Sequence, residues 1–267
     1  MKLPKSITTL CSAGLLMASL SLVNAQPGGA GMMGGMPGGG VLGGSTTKLF
    51  GENTAFSATM EVRLNAQGGG DPMSMPYKMS YDQGKSRMGV DMTEIKGGAI
   101  PPDAMDQMKV MGMDKMIMIT RPDNKTAYII YPGLKACVEN PIPEGNATAK
   151  PEDYKMELTE LGKETIDSHA CVKNKAVVTE KDGTKHESTV WNATDLKKFP
   201  LKIEMNEGGN AATITFKGVT LTKPDAKAFD TPTGYTKYGN MMEMMQQAIT
   251  ARMGGPGGAP GGLPPGR

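Results

Sequence analysis

The stretch "KMIMITRPDNKTAYIIYP", from Lys115 to Pro132, carries the clearest hairpin signal in the chain. Two short apolar runs, "KMIMIT" and "TAYIIYP", flank "RPDNK", in which proline and asparagine occupy positions that favour a turn. From Met116 to Ile119 the apolar residues are continuous, which is typical of a strand covered on both faces. The sequence therefore predicts a central β-hairpin with one buried arm.

Other segments alternate apolar and polar residues with a period of two, as half-buried strands do. "FSATMEVRL" at residues 56–64 and "MSMPYKMSY" at residues 73–81 are the first of about ten such segments. They follow one another without alternating helices, which indicates a mainly β fold with a strongly curved antiparallel sheet. "PPDAMDQMKVM", with Asp103 as N-cap, and the segment that starts near Asn240 show helical spacing. We expect one or two short helices to cover the sheet.

The first 25 residues have the composition of a cleavable signal peptide. Lys2 and Lys5 precede the apolar run "ITTLCSAGLLMASLSLV", and Ala25 ends a small-residue cleavage site. The run is too short and too rich in Ser and Thr for a permanent membrane span. We expect a bacterial protein exported to the periplasm or secreted, with Cys11 removed along with the signal rather than lipidated.

The charge balance argues against nucleic acid and anionic membranes as partners. The chain has 29 basic and 27 acidic residues, and loss of the signal removes Lys2 and Lys5 but no acid, leaving 27 of each. Both kinds of partner require clustered Lys and Arg, and the longest basic run is "LKK" at residues 196–198. We expect no nucleic-acid partner, and no transmembrane span after the signal because no other stretch is apolar enough.

Composition divides the mature chain into a domain and two tails. Residues 26–47 and 254–267 are rich in glycine with almost no charge, so both are predicted to be disordered. Residues 48–239 are long enough for one sizeable domain. Residues 240–253 are predicted to form an amphipathic helix that follows this domain.

Cys137 and Cys171 are the two cysteines of the mature chain. In an oxidising compartment an even pair first indicates a disulfide, worth roughly 3–4 kcal/mol for a loop of about 35 residues. The alternative is a metal site built from His169 and Cys171 of "SHAC", but no second His-rich or Cys-rich cluster supports it. The sequence favours the disulfide, and we expect no metal and no cofactor.

No catalytic constellation emerges from the sequence. His169 and His186 stand among ordinary strand residues, and neither Gly-x-Ser-x-Gly nor His-Glu-x-x-His occurs. Asp167, His169 and Ser188 include the residue types of a triad, but nothing in their spacing singles them out. We expect a protein that is not an enzyme.

Methionine is the most unusual component of the chain. There are 24 methionines, of which twelve lie between Met60 and Met118 and three lie in "GMMGGM" of the N-terminal tail. Thioethers select Cu(I), and the tail is a better candidate for such binding than the strands. The alternative is that methionine, flexible and polarizable, lines a hydrophobic surface that accommodates variable shapes.

The spacing of the methionines favours the second interpretation. Alternation places Met111, Met113 and Ile117 on one face and Met116 and Met118 on the other, whereas a thioether site would gather its sulfurs on one side. An apolar or lipid-like ligand is therefore the expected partner. The residues predicted to line its cavity are Met60, Met75, Tyr77, Met79, Met88, Met111, Met113 and Ile117.

The order of segments in the second half resembles a known bacterial family. "LGKETIDSHACVKNKAVV", "DGTKHESTVW", "FPLKIEM", "TITFKGV" and "FDTPTGYTKY" follow one another as in the family called domain of unknown function 4412. The resemblance covers residues 50–240 and is more specific in the second half. The positions that carry it are Gly162, Glu164, Ile166, Trp191, Pro200, Leu201, Phe229, Pro232, Gly234 and Tyr235.

The resemblance implies a LolA-like architecture, in which an incomplete barrel of antiparallel strands is lidded by short helices. Related exported proteins of that fold carry lipidated or lipid-like ligands in the concave cavity, although a fold does not by itself imply a function. Two hypotheses follow. The first is a non-enzymatic carrier or binding protein for an apolar ligand; the second is an envelope protein that handles Cu(I) or is purely structural. The sequence specifies neither a protein partner nor an oligomeric state.

Overall fold

The structure is a computed structural model that describes residues 43–65, 72–97, 101–142, 151–207 and 210–252. The predicted signal peptide, the C-terminal tail 254–267 and most of the predicted linker 26–47 lie outside these residues. Where the linker is described it is not disordered, since Gly44–Lys48 form a short helix. Leu49 and Phe50, which follow directly, are buried and hold this helix against the core.

Twelve strands form one sheet in the part of the chain that the structure describes. The order across the sheet is β12–β6–β5–β4–β3–β2–β1–β11–β10–β9–β8–β7, and all neighbours are antiparallel except β12 with β6. The sheet is curved and open, so the predicted mainly β fold class is confirmed. The strands are β1 (Ala55–Leu64), β2 (Met73–Asp82), β3 (Lys85–Asp91), β4 (Lys115–Arg121), β5 (Thr126–Tyr131), β6 (Ala136–Pro141), β7 (Lys155–Ile166), β8 (His169–Thr179), β9 (Lys185–Ala193), β10 (Pro200–Glu207), β11 (Asn210–Thr220) and β12 (Thr236–Tyr238).

Within the described ranges, three α-helices accompany the sheet: α1 (Gly44–Lys48), α2 (Pro102–Val110) and α3 (Met241–Arg252). Helix α2 lies where the sequence predicts it, but its N-cap is Pro101, with no side-chain cap bond, because the helix begins two residues earlier than an Asp103 cap requires. Helix α3 begins as predicted. Asn240 Oδ1 accepts from the Glu243 N–H at 2.8 Å, and Glu243 Oε2 accepts from the Gly239 N–H at 3.1 Å, which satisfies two otherwise unpaired donors.

The predicted central hairpin is formed by β4 and β5. A 3-10 turn at Pro122–Asn124 connects them, and Lys125 completes the reversal with a left-handed φ of 54°. The next connection repeats this device with Pro132–Leu134 and Lys135. Met116 and Ile119 of β4 are both buried on opposite faces, which confirms that this strand is covered on both sides.

The main core lies on one face of the sheet. An aromatic group made of Phe50, Phe56, Phe199 and Phe216 joins the segment after α1 to β1 and β11, with ring centroids 4.8–6.4 Å apart. Side chains of α2 and α3 pack on this same face, so both helices cover it. No helix among the described residues combines the length and apolar character needed to span a membrane.

A smaller core lies on the opposite face of β4, β5 and β6. It consists of Ile119, Ile130, Cys137 and Phe229, and the 3-10 turn Ala226–Phe229 covers it. This arm of the sheet is therefore enclosed on both faces.

Candidate functional site: a methionine-rich sheet face

Five of the eight residues predicted to line a cavity lie together on the main core face of β1, β2 and β3. Each of these side chains is at most 4% exposed. Cross-strand pairing brings Met60 opposite Tyr77, and Met79 opposite Met88. The five residues are Met60, Met75, Tyr77, Met79 and Met88.

The other three predicted lining residues do not share one face. Met111 is the C-cap of α2 and belongs to neither core, and Met113 lies in the turn before β4 and packs on the main core. Ile117 packs on the smaller core on the opposite face. The prediction extended the alternation of β4 towards the N-terminus beyond Lys115, where the strand begins, and the period of two does not hold in a turn.

The sulfurs gather on one face of the sheet rather than dividing between two. Met79, Met88 and Met118 are register partners on three adjacent strands, so they form a row across β2, β3 and β4. Met116 packs on the same core face as Met118. We call the surface formed by these strand methionines the methionine face; its members are Met60, Met75, Met79, Met88, Met116 and Met118.

Helices α2 and α3 contact the main core through methionine. Met105 and Met108 of α2, and Met241, Met244 and Met245 of α3, are the only described side chains of these two helices that belong to it. Met244 is fully buried, whereas Met242 on the outer side of α3 is 62% exposed. A methionine-to-methionine contact adapts readily to a change in shape, because the side chain is unbranched and polarizable.

Tyr77 places a polar group within this apolar face. Its hydroxyl donates to Sδ of Met75 at 3.6 Å, which is its only hydrogen bond among the described residues. A thioether is a weak acceptor, and burial raises the pKa of Tyr77 to about 12. The hydroxyl therefore stays protonated and offers a donor that a stronger acceptor would satisfy better.

The methionine face belongs to the main core, which the helix methionines join, and the backbone of α3 lies against β6 and β12. Two grooves, of about 530 Å³ and about 380 Å³, lie elsewhere on the surface. None of the eight predicted lining residues borders either groove. A ligand at the methionine face would therefore have to displace buried side chains of the main core.

The two predicted cysteine partners are not joined. Both are buried free thiols, Cys137 in the smaller core on β6 and Cys171 in the main core on β8. Eight strands lie between β6 and β8 in the sheet order, so the disulfide expected from an even cysteine count is absent. Burial raises the pKa of both thiols, which keeps them protonated.

The polar residues weighed as catalytic groups are not assembled with one another. The His169 ring bonds Asp195 at 2.7 Å rather than Asp167, which lies in the β7–β8 turn with a φ of 48°. His186 bonds Glu180 at 2.7 Å. Within the described ranges, no group of three or more His, Cys, Asp or Glu side chains is placed to hold a metal ion.

Two positions that carry the family resemblance, Glu164 on β7 and Trp191 on β9, contact each other. Trp191 Nε1 donates to Glu164 Oε2 at 2.8 Å, and the Nζ atoms of Lys173 and Lys202 lie 4.9 Å and 4.3 Å from the Trp191 ring centroid. The bond from Lys173, followed by that from Trp191, lowers the pKa of Glu164. This cluster stabilises the packing of β7, β8, β9 and β10, and the sequence did not reveal the contact.

No family model matches the chain, and no curated protein sequence matches it. The resemblance to domain of unknown function 4412 therefore stays an interpretation of the sequence. Solved structures do match. A LolA superfamily protein from Nitrosomonas europaea has 12% identity and a TM-score of 0.38, over 70% of this chain and 94% of that one.

Two further solved structures have comparable coverage. The lipoprotein LppX from Mycobacterium tuberculosis has 11% identity and a TM-score of 0.35, over 65% of this chain and 87% of its own. A protein of the family called domain of unknown function 1329, from Desulfovibrio piger, has 10% identity and a TM-score of 0.32, over 70% and 94%. No residue role is carried over from these proteins.

Proposed function

We propose that the protein is an exported, non-enzymatic carrier or binding protein for an apolar, lipid-like ligand. The ligand occupies the methionine face beneath α2 and α3. The observation that carries this proposal is that every described apolar side chain by which the two helices join the main core is a methionine. Methionine side chains adapt to different neighbours because they are unbranched and polarizable. The helix and strand methionines can therefore pack on one another in the absence of a ligand and on the ligand when it is bound.

Ligand entry exchanges one set of apolar contacts for another. Each methylene of a ligand chain that leaves water contributes about 0.8 kcal/mol. The helix methionines that it displaces lose contacts of similar size, so the net affinity depends on how weakly the helices are held. The capping bonds of α3 lie within residues 239–243 and do not involve the sheet. That helix can therefore leave the face without losing its own N-terminal bonds.

Tyr77 favours a ligand that combines an apolar chain with a hydrogen-bond acceptor, such as an ester or amide carbonyl. The hydroxyl would exchange the Met75 thioether for a carbonyl oxygen, which is the stronger acceptor. Tyr77→Phe is expected to weaken binding of an acyl-ester probe by about fivefold to tenfold, the worth of one hydrogen bond. Binding of a plain hydrocarbon probe should not change.

Organic extraction of protein purified from its native host, followed by mass spectrometry, tests the proposal. We expect a lipid-like compound in the extract and competition by it against a fluorescent fatty acyl probe. A protein that yields no lipid and binds no acyl probe would contradict the proposal. Loss of probe binding in Met60→Lys but not in Met242→Lys would locate the site beneath the helices, provided both variants keep the wild-type far-UV circular dichroism.

The row of Met79, Met88 and Met118 supports a second candidate function, Cu(I) handling, because thioethers select this ion. A Cu(I) competition titration of the triple Leu variant at these positions tests it. The matched control replaces Met73, Met156 and Met205, which lie in the same core without a methionine opposite. Equal Cu(I) affinity in the two triple variants would rule out the row as the binding site. Loss of Cu(I) binding in a third variant, with Met32, Met33 and Met36 replaced, would locate the binding in the N-terminal tail.

A further inference from the structure

Helices α2 and α3 depend on one oxidisable type of side chain for their contact with the main core. Every described apolar side chain by which they join this core is a methionine. A peroxide converts methionine into its polar sulfoxide, and a reductase reverses the change. We propose that oxidation of the helix methionines releases α2 and α3 from the main core, and that reduction restores their docking. This inference goes beyond the proposed function, because helix docking requires no ligand.

Four of the five helix methionines in this contact are open to an oxidant. Met105 and Met108 of α2 lie three residues apart, and Met241 and Met245 of α3 lie four apart, so each pair shares one face of its helix. All four are half-buried, which means that each contacts the core and also reaches solvent. The fifth, Met244, is fully buried. We call the four half-buried residues the switch methionines.

Most of the methionine face is shielded from the same oxidant. A peroxide must reach the sulfur atom in order to react, and five strand methionines of this face are at most 4% exposed. The switch methionines should therefore react before these five, and the five should react only after the helices have left the core. The shielded residues are Met60, Met75, Met79, Met88 and Met116.

The chemistry is a transfer of one oxygen atom. Hydrogen peroxide gives an oxygen to the thioether sulfur, which is oxidised to the sulfoxide, and the peroxide is reduced to water. In the reverse reaction a methionine sulfoxide reductase removes this oxygen as water, while a dithiol is oxidised to a disulfide. The sulfoxide is polar, so its burial without a hydrogen-bond partner is unfavourable.

Oxidation should weaken the docking of each helix appreciably. When Met241 and Met245 carry sulfoxides, Met244 is the one described apolar contact of α3 that remains unchanged. On α2, oxidation of Met105 and Met108 changes both described contacts with the core. We therefore expect the equilibrium constant for opening of either helix to rise by about tenfold or more.

The two cysteines described in the structure do not compete for the oxidant. Cys137 and Cys171 are both buried, and neither belongs to α2 or α3. Burial raises the pKa of both thiols, which keeps them in the protonated, less reactive form. A change confined to the helices after peroxide treatment would therefore report on methionine.

Hydrogen exchange of the mature protein before and after treatment with hydrogen peroxide tests the inference. Peptide mass spectrometry locates each added oxygen, and we expect sulfoxides at the switch methionines before the five shielded ones. Exchange in residues 105–110 and 244–252 should then accelerate by about tenfold or more, while β8 and β9 keep their protection. Incubation with methionine sulfoxide reductases of both stereospecificities and dithiothreitol should restore slow exchange.

Two double variants serve as controls for each other. Met241→Leu with Met245→Leu removes the switch methionines of α3, and Met105→Leu with Met108→Leu removes those of α2. Leucine keeps a similar apolar volume and is inert to peroxide. After treatment each variant should keep its own substituted helix docked while the other helix is released. Each treated sample is compared with the untreated sample of the same variant, so an altered baseline does not affect the comparison.

Four results would overturn the inference. They are sulfoxides at the switch methionines without faster exchange in either helix, acceleration of a leucine-substituted helix equal to that in the wild type, oxidation of the shielded methionines first, and acceleration spread evenly over the sheet. None of these results decides the ligand proposal, because lipid extraction uses untreated protein.

Discussion

Met244→Ala is expected to release α3 from the sheet without unfolding the protein. Met244 is fully buried, and α3 contacts the main core through only two other described side chains, those of Met241 and Met245. The change removes three heavy atoms beyond Cβ. At about 0.8 kcal/mol for each methylene-sized group, with a small additional cost for the cavity, the docking of α3 should weaken by about 2–3 kcal/mol.

That loss is large for one twelve-residue helix. Isolated helices of this length are marginal in water, and a weakening of 2–3 kcal/mol corresponds to roughly a 30- to 140-fold rise in the equilibrium constant for opening. Hydrogen exchange of the amides in residues 244–252 should accelerate by this factor, while the amides of β2 and β3 should keep most of their protection. If α3 acts as a lid, an acyl probe should also enter faster.

Met242→Ala is the matched control because Met242 belongs to the same helix and is largely exposed. It changes helix propensity in the same way and should leave both the exchange rates and probe entry as in the wild type. Equal exchange of α3 in the two variants would refute the reasoning, since it would mean that Met244 contributes nothing to docking. Acceleration spread evenly over the whole sheet would mean that α3 is part of the cooperative core rather than a lid.

Three more outcomes follow from the described contacts. Cys137 and Cys171 should both be alkylated after denaturation without reductant and react slowly in the native protein, because both are buried with raised thiol pKa values. Gly112→Ala should lower the free energy of unfolding in urea by about 2–4 kcal/mol, because the φ of Gly112 is 70° and a Cβ would lie 2.9 Å from a backbone carbon. Gly51→Ala is the control: its φ is 59° but a Cβ would have no atom within 4 Å, so the loss should be about 1 kcal/mol. The lowered pKa of Glu164 means that its contact contributes stability above its ordinary pKa of 4.5 and loses it as the pH falls through the lowered value. Glu164→Gln should remove this acid-dependent change from the Trp191 emission.

Local periodicity was sufficient to predict the strands and two of the helices. The segment 56–64 became β1, and "KMIMIT" and "TAYIIY" became β4 and β5, because alternation and turn residues act over a few neighbours. The cap of α3 at Asn240 was equally local. At Met111 and Met113 the sequence interpretation applied the period of a strand to a helix end and a turn.

The gathering of the methionines could not be predicted from sequence. Met79, Met88 and Met118 are separated by many residues in the chain and become neighbours only through the pairing of β2 with β3 and of β3 with β4. Similarly, an even number of cysteines suggested a bond between residues whose strands have eight other strands between them. A count of residues carries no information about the order of strands in a sheet.

The sequence by itself determined the mainly β class, the position of nearly every strand and the apolar character of one sheet face. These properties depend on backbone preferences and side-chain alternation between near neighbours, which act before distant segments meet. Only the tertiary structure decided which methionines share a face, which helices join the same core, that the thiols stay apart and that β7 is the last strand in the sheet order. Register and strand order arise from packing between segments far apart in the chain, and a one-residue change in register would move every side chain of a strand to the other face.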